Sequence, residues 1–409
     1  MTADAKIPSV FDAALPVLDY DAAATPPQEI YPQLLAAQQQ APIAIGPLGP
    51  EVLSYELVRT MLRDSRFEIP SGYILAVQGI ESGPLWDKVM SSLLGMEGAE
   101  HQRVRSVVSK AFTPRAVERL HATIDEVLDE IITPLTRRGH CDVVTDIARP
   151  YPVPIICALL GAPREDWEQF SVWTDQIFKA FSFPFTPAEV PGVMRAWGEL
   201  DDYVDDMVAR RRHTLTDDLL SDLIRLEDDG DRLSSDELRM LAAALLLAGT
   251  DTTRNQVAAS VEVLCDHPDQ WELLRDNPDL AMSAVDESAR HSSISNVLLR
   301  AVAEDVGLAG VHIPAGTMVF ANTFAANRDP VIYDDPYRFD ITRKGLPPLL
   351  IFGAGVHYCL GANLARLEIA EALKVITRRI SNPRKTGPAP WRPIAGLSGP
   401  TSLLIAFDC

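Results

Sequence analysis

The chain has 409 residues, 47% hydrophobic and 23% charged, an ordinary globular balance that can bury a large core without disulfides. With 57 Asp and Glu against 37 Lys and Arg, its formal charge of −20 favours solubility and argues against nucleic acid as a partner. The five cysteines, Cys141, Cys157, Cys265, Cys359 and Cys409, are odd in number and scattered, which argues against a disulfide framework and points to a reducing compartment.

The N-terminal Met-Thr-Ala-Asp-Ala-Lys lacks the basic flank and apolar core of a signal peptide. The longest apolar run, residues 240–249, falls short of the roughly 20 residues that cross a bilayer. A freely soluble, cytoplasmic protein without membrane contact is expected. Residues 44–46 and 52–54, bracketed by Gly and Pro, read as a small hairpin. From Arg103 to about Ile380 the period is mostly helical. Leu120, Ile124, Val127, Leu128 and Ile131 mark one amphipathic helix, and the charge-rich residues 201–212 read as a solvent-facing one. An acidic turn at 227–231 leads into Ser234-Ser-Asp-Glu237, a capping box that should open a long helix through Leu264.

After Arg290 the pattern turns to strands at 297–303, 311–313 and 318–321. Pro347 and Pro348 then begin a non-helical stretch to Cys359, followed by a last long helix. Without an internal repeat, this predicts a mainly α chain with a minor β portion, folded as a single domain over residues 1–409.

The most informative stretch is Phe352-Gly-Ala-Gly-Val-His-Tyr-Cys359-Leu-Gly-Ala-Asn-Leu-Ala-Arg366. Cys359 stands at the start of a helix with the stripe Leu360, Leu364, Leu367 and Ala370, where free amides and the helix dipole favour a thiolate. Gly353 and Gly355 permit a tight loop, and Gly361 leaves room beside the sulfur. No second cysteine stands at ligand spacing, which disfavours zinc. A structural cysteine in a glycine-rich loop is the plain alternative.

This stretch resembles the heme-binding signature of the cytochrome P450 family, Phe-x-x-Gly-x-x-x-Cys-x-Gly, at every fixed position. Three further matches follow the family's order. Glu287-Ser-Ala-Arg290 resembles its Glu-x-x-Arg element, whose spacing lets the two side chains pair on one helical face. In the family that pair is joined by an arginine from a Pro-x-Arg-Phe segment, matched here by Pro336-Tyr-Arg338-Phe339. Ala248-Gly-Thr-Asp251-Thr252-Thr253 resembles the oxygen-activation segment of the long central helix. A hydroxyl there can bond back one turn and open the helix. His101-Gln-Arg-Val-Arg105, followed by Ala111-Phe-Thr-Pro-Arg115, resembles the helix beside the cofactor, and Asn327-Arg-Asp-Pro330 is also familiar in that setting. The chain departs from the pattern at 291–296, where the usual proline is missing, and at Glu97-Gly-Ala99, where the family has Asp-Pro-Pro.

The resemblance implies the cytochrome P450 fold and a heme-thiolate monooxygenase that inserts one oxygen atom from O2 into an apolar organic substrate. It implies heme b (iron protoporphyrin IX) as cofactor, with Cys359 as the iron ligand and Phe352 and Gly361 in its loop. His101, Arg105, Arg300 and His357 would meet the heme carboxylates. Asp251 and Thr252 would handle the protons of the distal oxygen. Electrons would come from a ferredoxin and its reductase, since the other cysteines lack ferredoxin spacing. Arg103, Lys110 and Arg115 are expected to form a basic docking patch. Residues 73–77, Phe178, Phe181, Phe183, Phe185, Ile294, Val297 and Leu397 are the expected pocket lining, with residues 183–191 as a mobile lid. A P450 fold turned to peroxygenase, isomerase or dehydratase chemistry, or a heme sensor without turnover, is the alternative, and Asp251 with Thr252 argues against the former.

Overall fold

The computed structural model describes residues 7–109, 119–181, 184–228 and 233–408. Helices α1 (Pro27–Gln40), α2 (Tyr55–Met61), α3 (Tyr73–Ala76), α4 (Pro84–Met90) and α5 (Gly98–Val108) lie in the first quarter of the chain. They are followed by α6 (His121–Thr136), α7 (Pro152–Leu160), α8 (Trp167–Ile177), α9 (Val190–His213) and α10 (Leu219–Asp228). The central helix α11 (Ser235–Asp266) leads to α12 (Pro268–Asp276), α13 (Ala281–His291), α14 (Thr323–Ala326) and α15 (Ala362–Arg379).

Helix α11 starts where its sequence dictates. The Ser234 hydroxyl accepts from the Glu237 amide at 3.2 Å, and the Glu237 carboxylate accepts from the Ser234 amide at 2.8 Å. This reciprocal cap contributes about 1 kcal/mol. Buried residues such as Leu241, Leu245, Val257, Val261 and Leu264 then fall on several sides of the 32-residue helix. A helix apolar all round belongs in a core, and α7, α8, α9 and α15 pack against this one. The segment Val143–Leu160 has the length and composition of a membrane span, but 67% of it is buried inside the fold. Its apolar character, longer than that of residues 240–249, serves the same core. In α9 the charged stretch is only half solvent-facing, because Leu200, Val204 and Met207 are buried.

The minor β portion is centred on a five-stranded sheet. Strands β1 (Ile43–Gly46) and β2 (Gly49–Val52) form the N-terminal hairpin, with Gly46 opposite Gly49. The second strand begins earlier than expected because Gly49, at φ 144°, turns the chain back after two residues. With β3 (Phe67–Glu68), β5 (Val297–Val302) and β8 (Met318–Asn322) the order is β1-β2-β8-β5-β3. Smaller sheets join β4 (His140–Asp142), β12 (Leu404–Asp408) and β9 (Ser381–Lys385), then β6 (Val306–Leu308) with β7 (Val311–Ile313), and β10 (Trp391–Arg392) with β11 (Gly399–Pro400). One apolar cluster fills the helical part, and a second lies between the five-stranded sheet and the loop before Cys359, including Leu62, Val319, Ala321, Leu350 and Ala354.

Glu287 and Arg290 are paired in the buried scaffold as their spacing predicts, at 2.7 and 2.8 Å. The third member differs from the expectation. The Arg338 side chain points outward to Asp340, and only its carbonyl accepts from Arg290, at 3.1 Å. Arg343, five residues on, reaches Glu287 at 3.2 Å instead. The turn through Asp340 brings that later arginine inward, and its guanidinium is held there by the carbonyls of Asp334, Asp335 and Arg338.

Candidate functional site

The loop before α15 folds into two short turns, Leu350–Phe352 and Gly355–His357, closed by the Cys359 amide donating to the Phe352 carbonyl at 2.8 Å. Gly355 has φ 70°, and a Cβ there would come within 2.7 Å of the Leu62 carbonyl, so a larger residue would push the loop off α2. A Cβ on Gly361 would meet no protein atom within 4 Å, so packing within the chain does not require glycine there.

Cys359 is exposed, whereas Cys141 and Cys157 are buried and Cys265 is half-buried. Burial pushes those three thiols up to about 12, which leaves them inert. At Cys359 the protein mass around the sulfur also raises the thiol, and this outweighs the Gly361 amide and the Arg105 charge that pull it down. The helix start alone therefore does not produce a thiolate. A metal cation at the sulfur would, since coordination deprotonates a thiol outright.

The four expected carboxylate-binding residues gather beside this loop. The ring of buried His101 lies 4.2 Å from that of His357, and the Arg105 guanidinium donates to the Tyr358 carbonyl. Arg300, on β5, donates to its neighbour's carbonyl at 2.7 Å, and burial pushes it down to about 10. Among the described residues, Arg105, Arg300 and His101 have no carboxylate within ion-pair distance, and His101 Nδ1 is buried without a partner. A buried arginine such as Arg300 normally has an acidic partner. An exposed thiol beside three such donors fits a flat, iron-bearing group with carboxylates at its edge. Arg103 of the expected docking patch instead pairs with Glu237, and Lys110 and Arg115 lie outside the described residues.

On α11 the Thr252 hydroxyl donates to the Ala248 carbonyl at 3.1 Å, as its position predicts. Thr250 does the same to Leu246 at 2.7 Å, and Asn255 Nδ2 to the Asp251 carbonyl at 2.7 Å. The helix nevertheless continues unbroken through all three. Asp251 is buried and pairs with Arg254, with Arg392 of β10 at 3.8 Å from its other oxygen. Arg254 also holds Asp175 at the end of α8, at 2.7 Å, and Asp175 reaches Arg149 at 2.8 Å. The result is an alternating chain, Arg149–Asp175–Arg254–Asp251–Arg392. Only its Asp251–Arg254 link was legible in the sequence, as a pair three residues apart. Beneath the helix, Glu368 of α15 is fully buried against Thr253, and burial raises its carboxyl far above the usual range.

The apolar residues expected to line a pocket partly converge. Helix α3 touches the turn Phe178–Phe181, and the Gln78 side chain accepts from the Phe185 amide. Phe178 and Phe181 have ring centroids 6.0 Å apart. A bridge between Ser295 and Leu397 brings residues 294–297 to the C-terminal loop. Leu75 is buried while Ile74 and Val77 are exposed, and Phe183 lies outside the described residues. Sequence reasoning missed Asn296, buried between the expected lining residues with neither side-chain donor nor acceptor satisfied. On the cysteine side a cavity of about 610 Å³ is lined by Phe352, Tyr358, Arg366, Asp286 and Lys344, among others.

The profile of the family described as "Cytochrome P450" matches residues 90–381. Luteothin monooxygenase of Streptomyces thioluteus is 34% identical over 400 residues, covering 97% of this chain and 97% of that protein. Vitamin D(3) 25-hydroxylase of Pseudonocardia autotrophica is 42% identical over 275 residues, 67% of this chain and 66% of that protein. The crystal structure of CalO2 superimposes with a TM-score of 0.89 and 31% identity, over 96% of this chain and 99% of that one.

Proposed function

This chain belongs to the cytochrome P450 family of monooxygenases, and we propose that it is a single-domain enzyme that hydroxylates a bulky apolar organic molecule with O2 and ferredoxin-delivered electrons. The observation that carries this reading is the exposed Cys359 in the signature loop with Arg105, Arg300 and His101, which face no carboxylate among the described residues, gathered beside it.

In this reading Cys359 would hold the iron of heme b, with Phe352 and Gly361 in its loop, and His101, Arg105, Arg300 and His357 would hold the heme carboxylates. Bound there, the heme supplies the activation of O2 that side chains cannot, with the thiolate pushing electron density toward O–O cleavage. The Thr252 hydroxyl would hold a proton at Oγ1 on the unbroken helix α11, where it now donates to the Ala248 carbonyl. Asp251 would pass protons to it, taken up from water at the half-exposed Arg392 end of the ion chain. Helix α3, the Phe178–Phe181 turn and residues 294–297 exclude water around the substrate. By their names, the relatives act on luteothin and vitamin D(3), which supports a bulky apolar substrate.

The lack of ferredoxin-type cysteine spacing supports an external electron donor. Lys344, at the cavity beside the cysteine loop, is a better candidate for its docking than Arg103 or Arg366, which are already paired with Glu237 and Asp286. The burial of Val143–Leu160 supports a cytoplasmic protein free of the membrane.

The test is the absorption spectrum of the reduced, CO-treated protein beside that of Cys359→His. A red-shifted Soret band that disappears in the variant is the expected result. No heme, or a band unchanged by the substitution, overturns the assignment of Cys359. Product formation with a ferredoxin, its reductase and a panel of apolar ligands then separates turnover from mere heme binding.

A further inference from the structure

Where the family has Asp-Pro-Pro, this chain reads Glu97-Gly-Ala, and the backbone there shows what the change permits. Glu97 is the N-cap residue of α5, extended at φ −133°, yet its side chain makes no cap bond. Gly98 follows at φ 66°, a left-handed conformation that proline, fixed near −65°, cannot adopt. The carboxylate turns away from its own helix. One oxygen lies 2.9 Å from His357 Nε2, and the other accepts from the Ile69 amide at 2.7 Å. Glu97 thus links the start of α5, the loop two residues before Cys359, and the segment running from β3 to α3.

The link also has an electrostatic side. The Glu97 charge acts on both His101 and Arg300, raising each against the burial that lowers them. A solvent-exposed ion pair would contribute little. Here, however, the His357 side chain is only 12% exposed and one of the two bonds goes to a backbone amide. Such a partner behind a binding residue fixes its ring orientation.

We propose that Glu97 is a positioning residue of the cofactor site. It holds the His357 ring against His101, ties the cysteine loop to the segment leading into substrate-facing α3, and offsets part of the positive field of Arg300. The proposal rests on the reading of those residues as the heme cradle.

The experiment uses the heme-loaded protein and the variants Glu97→Gln and Glu97→Ala. Three quantities are measured: heme loss to an excess of an apoprotein acceptor, the midpoint potential, and hydrogen exchange of the Ile69 amide. Heme loss is expected to quicken about tenfold in Glu97→Ala. The potential is expected to move positive in both variants, because an anion near the heme carboxylates is gone. Ile69 exchange should rise in Glu97→Ala and stay slow in Glu97→Gln, whose amide oxygen can still accept. A potential and a heme-loss rate unchanged in loaded Glu97→Gln overturn the role of Glu97 alone, and this conservative variant keeps the test open if Glu97→Ala fails to fold. A wild-type protein that takes up no heme overturns the functional reading, and this proposal with it.

Discussion

Among the described residues, two buried groups of carboxylates and arginines, one around Glu287 and one on α11, have opposite designs. In the scaffold group, Glu287 and Arg290 are 1% and 0% exposed. Arg290 also donates to the carbonyls of Asn327, Pro336 and Arg338, while Glu287 accepts from the Asp340 amide and from Arg343. Both side chains are bonded by several partners and are almost wholly withdrawn from solvent. In the α11 group, Asp251 is nearly as buried, but its chain ends at Arg149 and Arg392, 45% and 39% exposed. The same chemistry is a lock where protein encloses it, and it reaches solvent where its ends are exposed.

The contrast is broken most directly on the scaffold side. Glu287→Gln leaves Arg290 buried without its counter-charge and should cost about 3–5 kcal/mol, enough to abolish a folded, heme-loaded protein in denaturant titration. A loss below about 1 kcal/mol would mean the group is not a lock. Asp251→Asn is expected to lower product formation about a hundredfold, the usual weight of a general acid. Its unfolding midpoint should move far less, because Arg254 keeps Asp175 and water can solvate half-exposed Arg392. Equal effects on folding and turnover would erase the distinction.

Arg343→Ala should cost about 1–3 kcal/mol in unfolding free energy, the range for a hydrogen bond to a charged group. Arg338→Ala, whose side chain is 64% exposed, should be close to neutral. The reverse order would restore the family's Pro-x-Arg-Phe assignment.

The scaffold side should also be the acid-sensitive one. Burial first, then Arg328 and Arg290, push His291 from 6.5 down to about 3. The unfolded chain therefore binds an extra proton between those values. The stability held by neutral His291 is complete above about 6.5 and is lost as pH falls toward 3. In His291→Gln, the fall in unfolding free energy from pH 7 to pH 4 should be shallower than in the wild type. The smallest effect expected is at the helix cap, where Ser234→Ala should cost about 1 kcal/mol, read as a lowered unfolding midpoint.

Much of this was legible in the sequence because it rests on short spacings. The Ser234–Glu237 box, the Glu287–Arg290 pair, the back-bond of Thr252 and the stripe that buries Ile124, Val127 and Leu128 all lie within four residues. Helical geometry carries such spacings into space unchanged. The glycines of the Cys359 loop were readable for a related reason, since a positive φ at Gly353 and Gly355 is a local demand.

Position after a loop was not legible. Arg343 displaced Arg338 because of how residues 339–342 turn, and a motif records order but not the path. Glu97 meets His357 across 260 positions and Arg254 meets Asp175 across some 80, so no spacing announces either contact. Asn296 looked like one more polar residue until the fold enclosed it without partners. The sequence by itself determined the long central helix with its cap and the glycines of the cysteine loop, through interactions that the local backbone sets. Which charges face each other, and which of them keep water, was decided only when distant segments packed, because burial and counter-charge belong to the assembled interior.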